Sequence, residues 1–139
     1  MYVMRMTIQA TFVLFGSLAA TGAARAEPDA LLCGLTHAAS CAPHGECIAG
    51  PPETVNLPVL LRVGLKDRTV QAHRQGAEPR TSAVSSLIAE GPVRVLQGAE
   101  LGTGWTLVID TSTGSATITA SRAQEGFVAF GTCTSGLLK

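Results

Sequence analysis

The feature that most constrains the fold of this chain is a strict alternation of side chains over Val55–Lys66. Odd-numbered positions carry only valine or leucine, whereas even-numbered positions are polar residues, proline or glycine, with Leu60 the exception. Successive side chains of a strand point to opposite faces, so this period predicts a strand with one face on a core. Pro58 has no N–H for a sheet ladder, which predicts that this strand lies at an edge or bends there.

The same period of two returns further along the chain. Trp105–Asp110 and Ala116–Ser121 alternate in this way and flank turn-forming residues at 110–114, which predicts a β-hairpin. Three further strands are predicted, at 69–73, 92–97 and 127–133. Six strands in sequence order predict a mainly β fold, in which a small antiparallel meander forms a sandwich or a half-open barrel.

One segment departs from the period of two. Four of its apolar residues are spaced as on one face of a helix, namely Ala83, Val84, Leu87 and Ile88. Ser82 can cap the first turn of such a helix, and Gly91-Pro92 would end it. The serine and β-branched residues favour a strand instead. On balance the spacing predicts a short helix over 82–90 that crosses one end of the sheet.

The first 26 residues have the features of an export signal. Arg5 supplies a positive charge, Met6–Ala20 is mostly apolar, and Ala24-Arg25-Ala26 has the small-x-small pattern of a cleavage site. Polar residues interrupt the apolar run, whereas a membrane anchor needs about 20 continuous apolar residues. We therefore expect cleavage after Ala26 and a mature chain without a membrane span. The composition favours a bacterial protein, periplasmic or secreted.

These observations divide the chain into a signal peptide over 1–26, an arm over 27–53 and an antiparallel β domain over 54–139. The arm contains three of the four cysteines, two of the three histidines and four prolines. No regular period runs through it. We therefore expect an irregular arm that disulfides tie to the β domain.

The cysteines carry the strongest chemical argument in the sequence. An even number of cysteines in a small exported domain predicts disulfides. Four cysteines allow three pairings, and the chain layout favours Cys41–Cys47 as a local loop with Cys33–Cys133 joining the arm to the last strand. In the loop-entropy model the long closure stabilises the fold by about 4.7 kcal/mol and the short one by about 2.4 kcal/mol.

The arm also contains an alternative set of metal ligands. Its cysteines and histidines crowd into a short stretch as Cys33, His37, Cys41, His44 and Cys47. Thiolate and imidazole ligands suit zinc or copper. However, Gly34 and Pro43 disfavour a continuous helix, the spacing matches no standard zinc pattern, and oxidation would remove the thiolates. The preferred interpretation has no metal or cofactor and places both histidines in exposed loops.

Charge and motifs argue against two broad functional classes. Without residues 1–26 the chain keeps eight basic and ten acidic residues, a net charge of −2, with no cluster of lysines and arginines. Binding to nucleic acid draws on such clusters, so we expect none. The chain also lacks the G-x-S-x-G, H-E-x-x-H, phosphate-loop and G-x-G-x-x-G motifs, so no enzymatic activity is predicted.

Two functional hypotheses remain from the sequence. The first is a non-catalytic binding or interaction module, with a partner such as another protein of the cell envelope. Its recognition surfaces would be the polar, glycine-containing loops 74–82 and 98–104. The second is an exported copper or zinc protein that uses the Cys33–Cys47 segment.

Overall fold

The computed structural model describes residues 26–135, so the export signal predicted over 1–26 lies outside the described residues except for Ala26. The fold is mainly β and antiparallel, as the sequence predicts. The described strands are β1 (Ala30–Cys41), β2 (Cys47–Gly50), β3 (Leu60–Gly64), β4 (Thr69–His73), β5 (Arg80–Ala83), β6 (Ser86–Glu90), β7 (Val93–Glu100), β8 (Thr103–Asp110), β9 (Ser115–Arg122) and β10 (Glu125–Thr134). A single 3-10 turn covers Pro52–Val55. Within the described part of the chain, no helix has the length and apolar character needed to cross a bilayer.

All ten strands belong to one sheet that curls into a half-barrel. The strand order is β5-β4-β3-β1-β10-β9-β8-β7-β6, and β2 pairs with the second half of β1. The strands β5 and β6 stand at opposite ends of this order, although only Val84 and Ser85 separate them in the chain. The two ends of the sheet must therefore approach each other, and the Ser85 N–H donates to the Gln97 carbonyl of β7 at 2.8 Å.

The prediction of an irregular arm is wrong for most of its length, because Ala30–Cys41 is the longest described strand and lies inside the sheet between β3 and β10. Its buried positions are Leu31, Cys33 and Leu35, and then Ala38 and Ser40. The register against β10 shifts between Leu35 and His37, which marks a β-bulge. The bulge moves the buried face from odd to even positions, so no continuous period of two is visible in the sequence.

The prediction of a short helix over 82–90 is also wrong. The segment forms the end of β5 and all of β6, with a bend at Val84-Ser85 between them. Val84 is buried, and its N–H donates to the Arg68 carbonyl at 2.9 Å. Because the bend interrupts the alternation, the apolar residues on its two sides acquire a helix-like spacing.

The first predicted strand is shorter than its alternation indicates. The 3-10 turn occupies the start of the alternating stretch, Asn56 adopts a left-handed conformation, and β3 begins at Leu60. Pro58 therefore precedes the strand, and β3 is an internal strand between β4 and β1 rather than an edge strand. The predicted hairpin is confirmed as β8 and β9, and the strand predicted at 69–73 is confirmed as β4.

The core fills the concave side of the half-barrel. The largest fully buried side chains are Leu61, Leu96, Leu107, Ile109, Val63 and Cys33. Both predicted disulfides are present, in the pairing that the chain layout favours. Each joins directly opposed residues of neighbouring strands, Cys33 to Cys133 between β1 and β10 and Cys41 to Cys47 between β1 and β2.

Candidate functional site

The alternative metal site is not assembled. All three of its cysteines are in disulfides, so no thiolate remains to bind zinc or copper. His37 is exposed on β1 after the bulge, and His44 is exposed in the turn between β1 and β2. Over residues 26–135 no group of three or more histidine, cysteine, aspartate or glutamate side chains could hold a metal ion.

A cavity of about 340 Å³ opens at one end of the half-barrel, and we call it the end cavity. It lies between β3, β4 and β5 on one side and β8, β9 and β10 on the other. Its apolar wall includes Leu61, Val70, Trp105, Ile118, Ala120 and Phe127, and its mouth includes Arg74, Arg80, Ser82, Glu100, Leu101 and Arg122. The volume is within the range of about 300–1,000 Å³ that is usual for small-molecule sites.

The apolar wall follows from the alternation of the strands. Leu61 and Val70 are buried and form its deepest part, whereas Trp105, Ile118 and Phe127 pack against the core and remain half-buried. These three side chains face the core on one side and the end cavity on the other. The wall is therefore apolar surface that nothing in the described chain fully covers.

A cross-strand row creates the space in this wall. Trp105 of β8 lies opposite Ala120 of β9, and Ala120 lies opposite Phe127 of β10. A methyl side chain between two aromatic rings leaves a recess, because directly opposed side chains on one face are neighbours. On the other side of Trp105, the row continues to Gly98 of β7, which carries no side chain.

The mouth of the end cavity concentrates positive charge. Arg74 donates to the Asn56 Oδ1 atom at 3.2 Å, and the Arg122 guanidinium carbon lies 5.6 Å from the centroid of the Phe127 ring. The Arg80 Nε atom lies 3.7 Å from a carboxylate oxygen of Glu100, which also accepts a hydrogen bond from the Ser82 hydroxyl.

Glu100 is the one carboxylate among the described residues that line this mouth, whereas three arginines line it. Glu78 lies in the loop between Arg74 and Arg80 but does not line the cavity. The chain as a whole carries equal numbers of basic and acidic residues. The positive mouth is therefore a local feature of the fold rather than a result of composition.

A strained leucine stands at the same mouth. Leu101 and Gly102 form the two-residue turn between β7 and β8, with φ of 49° and 75°. Positive φ at both central residues is typical of a type I′ turn, which favours Asn-Gly or Gly-Gly. A leucine in this conformation costs about 1–2 kcal/mol. The Leu101 side chain is nevertheless 79% exposed, so it gains little packing in return.

The two loops predicted as recognition surfaces meet at the end cavity. The segment 74–82 contributes Arg74, Arg80 and Ser82, and the segment 98–104 contributes Glu100 and Leu101. The second segment is a strand hairpin with a two-residue turn rather than an open loop. Sequence reasoning missed the wall. Alternation identifies Trp105 as inward-facing but does not distinguish a packed position from one beside a cavity, and it assigns no face to Phe127 because the last predicted strand is apolar on both faces.

Asp110 caps the turn that follows β8. It accepts hydrogen bonds from the Ser112 hydroxyl at 2.5 Å and from the Ser112 N–H at 2.8 Å. These bonds, the hydroxyl bond foremost, lower the pKa of the Asp110 carboxyl below its usual value.

Comparisons with protein-family models, with curated proteins and with solved structures find no match to this chain.

Proposed function

We propose that this chain is an exported, non-catalytic binding protein and that the end cavity is its ligand site. The observation that carries the proposal is an apolar wall, incompletely covered, below a polar mouth on a cross-linked sheet. Removing apolar surface from water contributes roughly 25 cal/mol per Å². A ligand that covers Trp105, Ile118 and Phe127 therefore gains affinity from surface that the fold leaves available.

The disulfides support the exported part of the proposal. They form and persist in oxidising compartments and are rare where thiols are kept reduced. Cys33–Cys133 and Cys41–Cys47 together use every cysteine of the chain. A periplasmic or secreted location agrees with this chemistry and with the signal predicted over 1–26.

The groups at the end cavity support binding rather than catalysis. Its charged side chains are three arginines and Glu100, which is already paired with Arg80. General acid–base catalysis favours a group that titrates near the working pH, most often a histidine. His73 adjoins the mouth in sequence, but it points away from the cavity because it alternates with Ala72 of the wall.

The chain provides its own reporter for this proposal, because Trp105 is its one tryptophan and lies in the wall. N-phenyl-1-naphthylamine, a neutral apolar fluorophore, accepts excitation energy from a nearby indole. We expect saturable energy transfer from Trp105 with one probe bound per chain. Absence of saturable transfer would contradict the proposed site.

A pair of matched variants locates the probe. Ala120→Leu fills the recess between Trp105 and Phe127, so we expect it to abolish the energy transfer. Ala99→Leu makes the same change at an exposed position of β7, and we expect parental binding. Thermal unfolding of both variants confirms that they are folded. Equal binding by the two variants would show that the probe occupies another surface.

A further inference from the structure

Two of the three arginines at the mouth have neutral partners. Arg80 and the Ser82 hydroxyl already engage Glu100. Arg74 donates to an amide oxygen, and Arg122 lies over an aromatic ring. A guanidinium group pairs most strongly with a carboxylate or another planar anion, through two parallel hydrogen bonds. The mouth therefore has capacity for a further anionic group, which the described residues do not supply.

The deep part of the end cavity is apolar, in contrast to the positively charged mouth. Among the described residues, those that line it below the mouth are apolar and include Leu61, Val70 and Ile118. A polar group placed there would lose its hydration without gaining a hydrogen-bond partner. A ligand that carries both an anionic head and an apolar body therefore has one favourable orientation, with its body inside and its head at the mouth.

Leu101 adds an apolar side chain to the lining of the mouth. Its backbone conformation favours glycine or asparagine, and its side chain is mostly exposed. Strain of this kind persists at ligand clamps, where the strained residue acts in binding. A leucine at the mouth can close over the part of an apolar body that the wall leaves uncovered.

We infer that the ligand class of the end cavity is a small amphipathic anion, such as a medium-chain alkyl carboxylate. Its alkyl chain lies against Trp105, Ile118 and Phe127, its carboxylate lies at the arginines of the mouth, and Leu101 packs on the chain. This inference rests on the proposed function and adds the chemistry and the orientation of the ligand to it.

Displacement of the neutral fluorophore by three ligands that each contain an unbranched run of ten carbons tests the charge of the ligand. Decanoate, decanol and decyltrimethylammonium share this run and differ in the head group. We expect decanoate to displace the probe at a concentration at least tenfold lower than the cation, with decanol between them. Octanoate, with two methylene groups fewer, should bind about fifteenfold more weakly than decanoate, because each buried methylene contributes about fourfold.

Substitutions at the mouth test the orientation. We expect Arg74→Gln with Arg122→Gln to weaken decanoate about three- to tenfold and to leave decanol unchanged, because these arginines contact only the head. The control Arg62→Gln removes an arginine from the face of β3 opposite to Leu61, and it should change neither ligand. Leu101→Asn should weaken decanoate and decanol alike, because it removes an apolar contact.

The outcomes separate this inference from the proposed function. If the fluorophore binds but decanoate and the cation displace it equally, the ligand class is wrong and the binding site stands. The same conclusion follows if the protein binds phosphatidylglycerol vesicles while free decanoate does not displace the probe. If the fluorophore itself does not bind, the proposed function fails and the inference fails with it.

Discussion

At the residue scale, Gly98 determines how closely Trp105 approaches the neighbouring strands. A Cβ atom at this position would lie 2.3 Å from the Trp105 Cζ2 atom and 2.7 Å from the Ala83 carbonyl oxygen. The indole ring therefore occupies the space that any other residue at position 98 would need. Because Trp105 also forms the wall of the end cavity, a glycine on β7 fixes the position of a side chain in the proposed site.

We predict that Gly98→Ala destabilises the fold by about 1–3 kcal/mol, because the added methyl group forces either the indole ring or β5 to move. Urea unfolding monitored by Trp105 fluorescence measures the change. Gly104→Ala is the matched control, since a Cβ atom there has no neighbour within 4 Å. Equal stability of the two variants would show that Trp105 does not require the space at Gly98.

The lowered pKa of Asp110 leads to a prediction about how the stability of the fold depends on pH. Its pKa is lowered in the folded chain, so the ionised carboxyl stabilises the fold above about pH 4, the usual aspartate pKa. This contribution is lost as the pH falls through the folded-state pKa. We predict that Ser112→Ala raises the pKa of Asp110 in a carboxyl-carbon NMR titration, because the hydroxyl bond is removed. An unchanged pKa would assign the shift to the backbone N–H groups alone.

At the element scale, β1 illustrates both the power and the limit of reasoning from sequence. The hairpin of β8 and β9 is visible because its alternation is unbroken and a turn-forming segment separates its strands. In β1 the bulge between Leu35 and His37 moves the inward-facing side chains from odd-numbered to even-numbered positions. The bend at Val84-Ser85 interrupts the alternation in the same way between β5 and β6. A single shift of this kind conceals a strand from sequence analysis, because a strand is predicted from an unbroken alternation of inward-facing and outward-facing positions.

The turn between β7 and β8 gives a prediction at this scale. Leu101→Asn should stabilise the fold by about 1 kcal/mol, because asparagine tolerates the left-handed conformation that Leu101 adopts. Thermal unfolding measures the gain, which runs opposite to the loss of ligand affinity expected for the same variant. A lower unfolding temperature would mean that the exposed leucine stabilises the free protein through packing.

At the scale of the whole molecule, the two disulfides differ in the length of chain that they close. Cys33–Cys133 spans 100 residues and joins β1 to β10, whereas Cys41–Cys47 spans six. In the loop-entropy model, stabilisation grows with the number of residues enclosed. The long disulfide also lies in the core, where Cys33 has no exposed surface.

We predict that replacing Cys33 and Cys133 with alanine costs about 4.7 kcal/mol, against about 2.4 kcal/mol for the same change at Cys41 and Cys47. Denaturant unfolding of the two double variants gives both values. An equal or larger cost at the short disulfide would contradict the view that the long closure stabilises the sheet more.

The end cavity is a property of the whole molecule, and this explains how much of it the sequence predicts. The loops 74–82 and 98–104 could be identified from their polarity and their place between strands. The wall could not, because its recess needs Ala120 between Trp105 and Phe127, and its opposite side comes from β3 and β4. The gap between two such groups of strands depends on how far the sheet curls, which no local pattern encodes.

The most direct test of the binding site is the change in amide and indole NMR signals on titration with decanoate. We predict that the largest changes occur at the Trp105 indole and at Leu101, Ile118 and Arg122. Residues on the outer face, such as Thr106 and Thr119, should change little. Changes concentrated on the outer face, or none at saturating decanoate, would contradict the assignment of the end cavity as the ligand site.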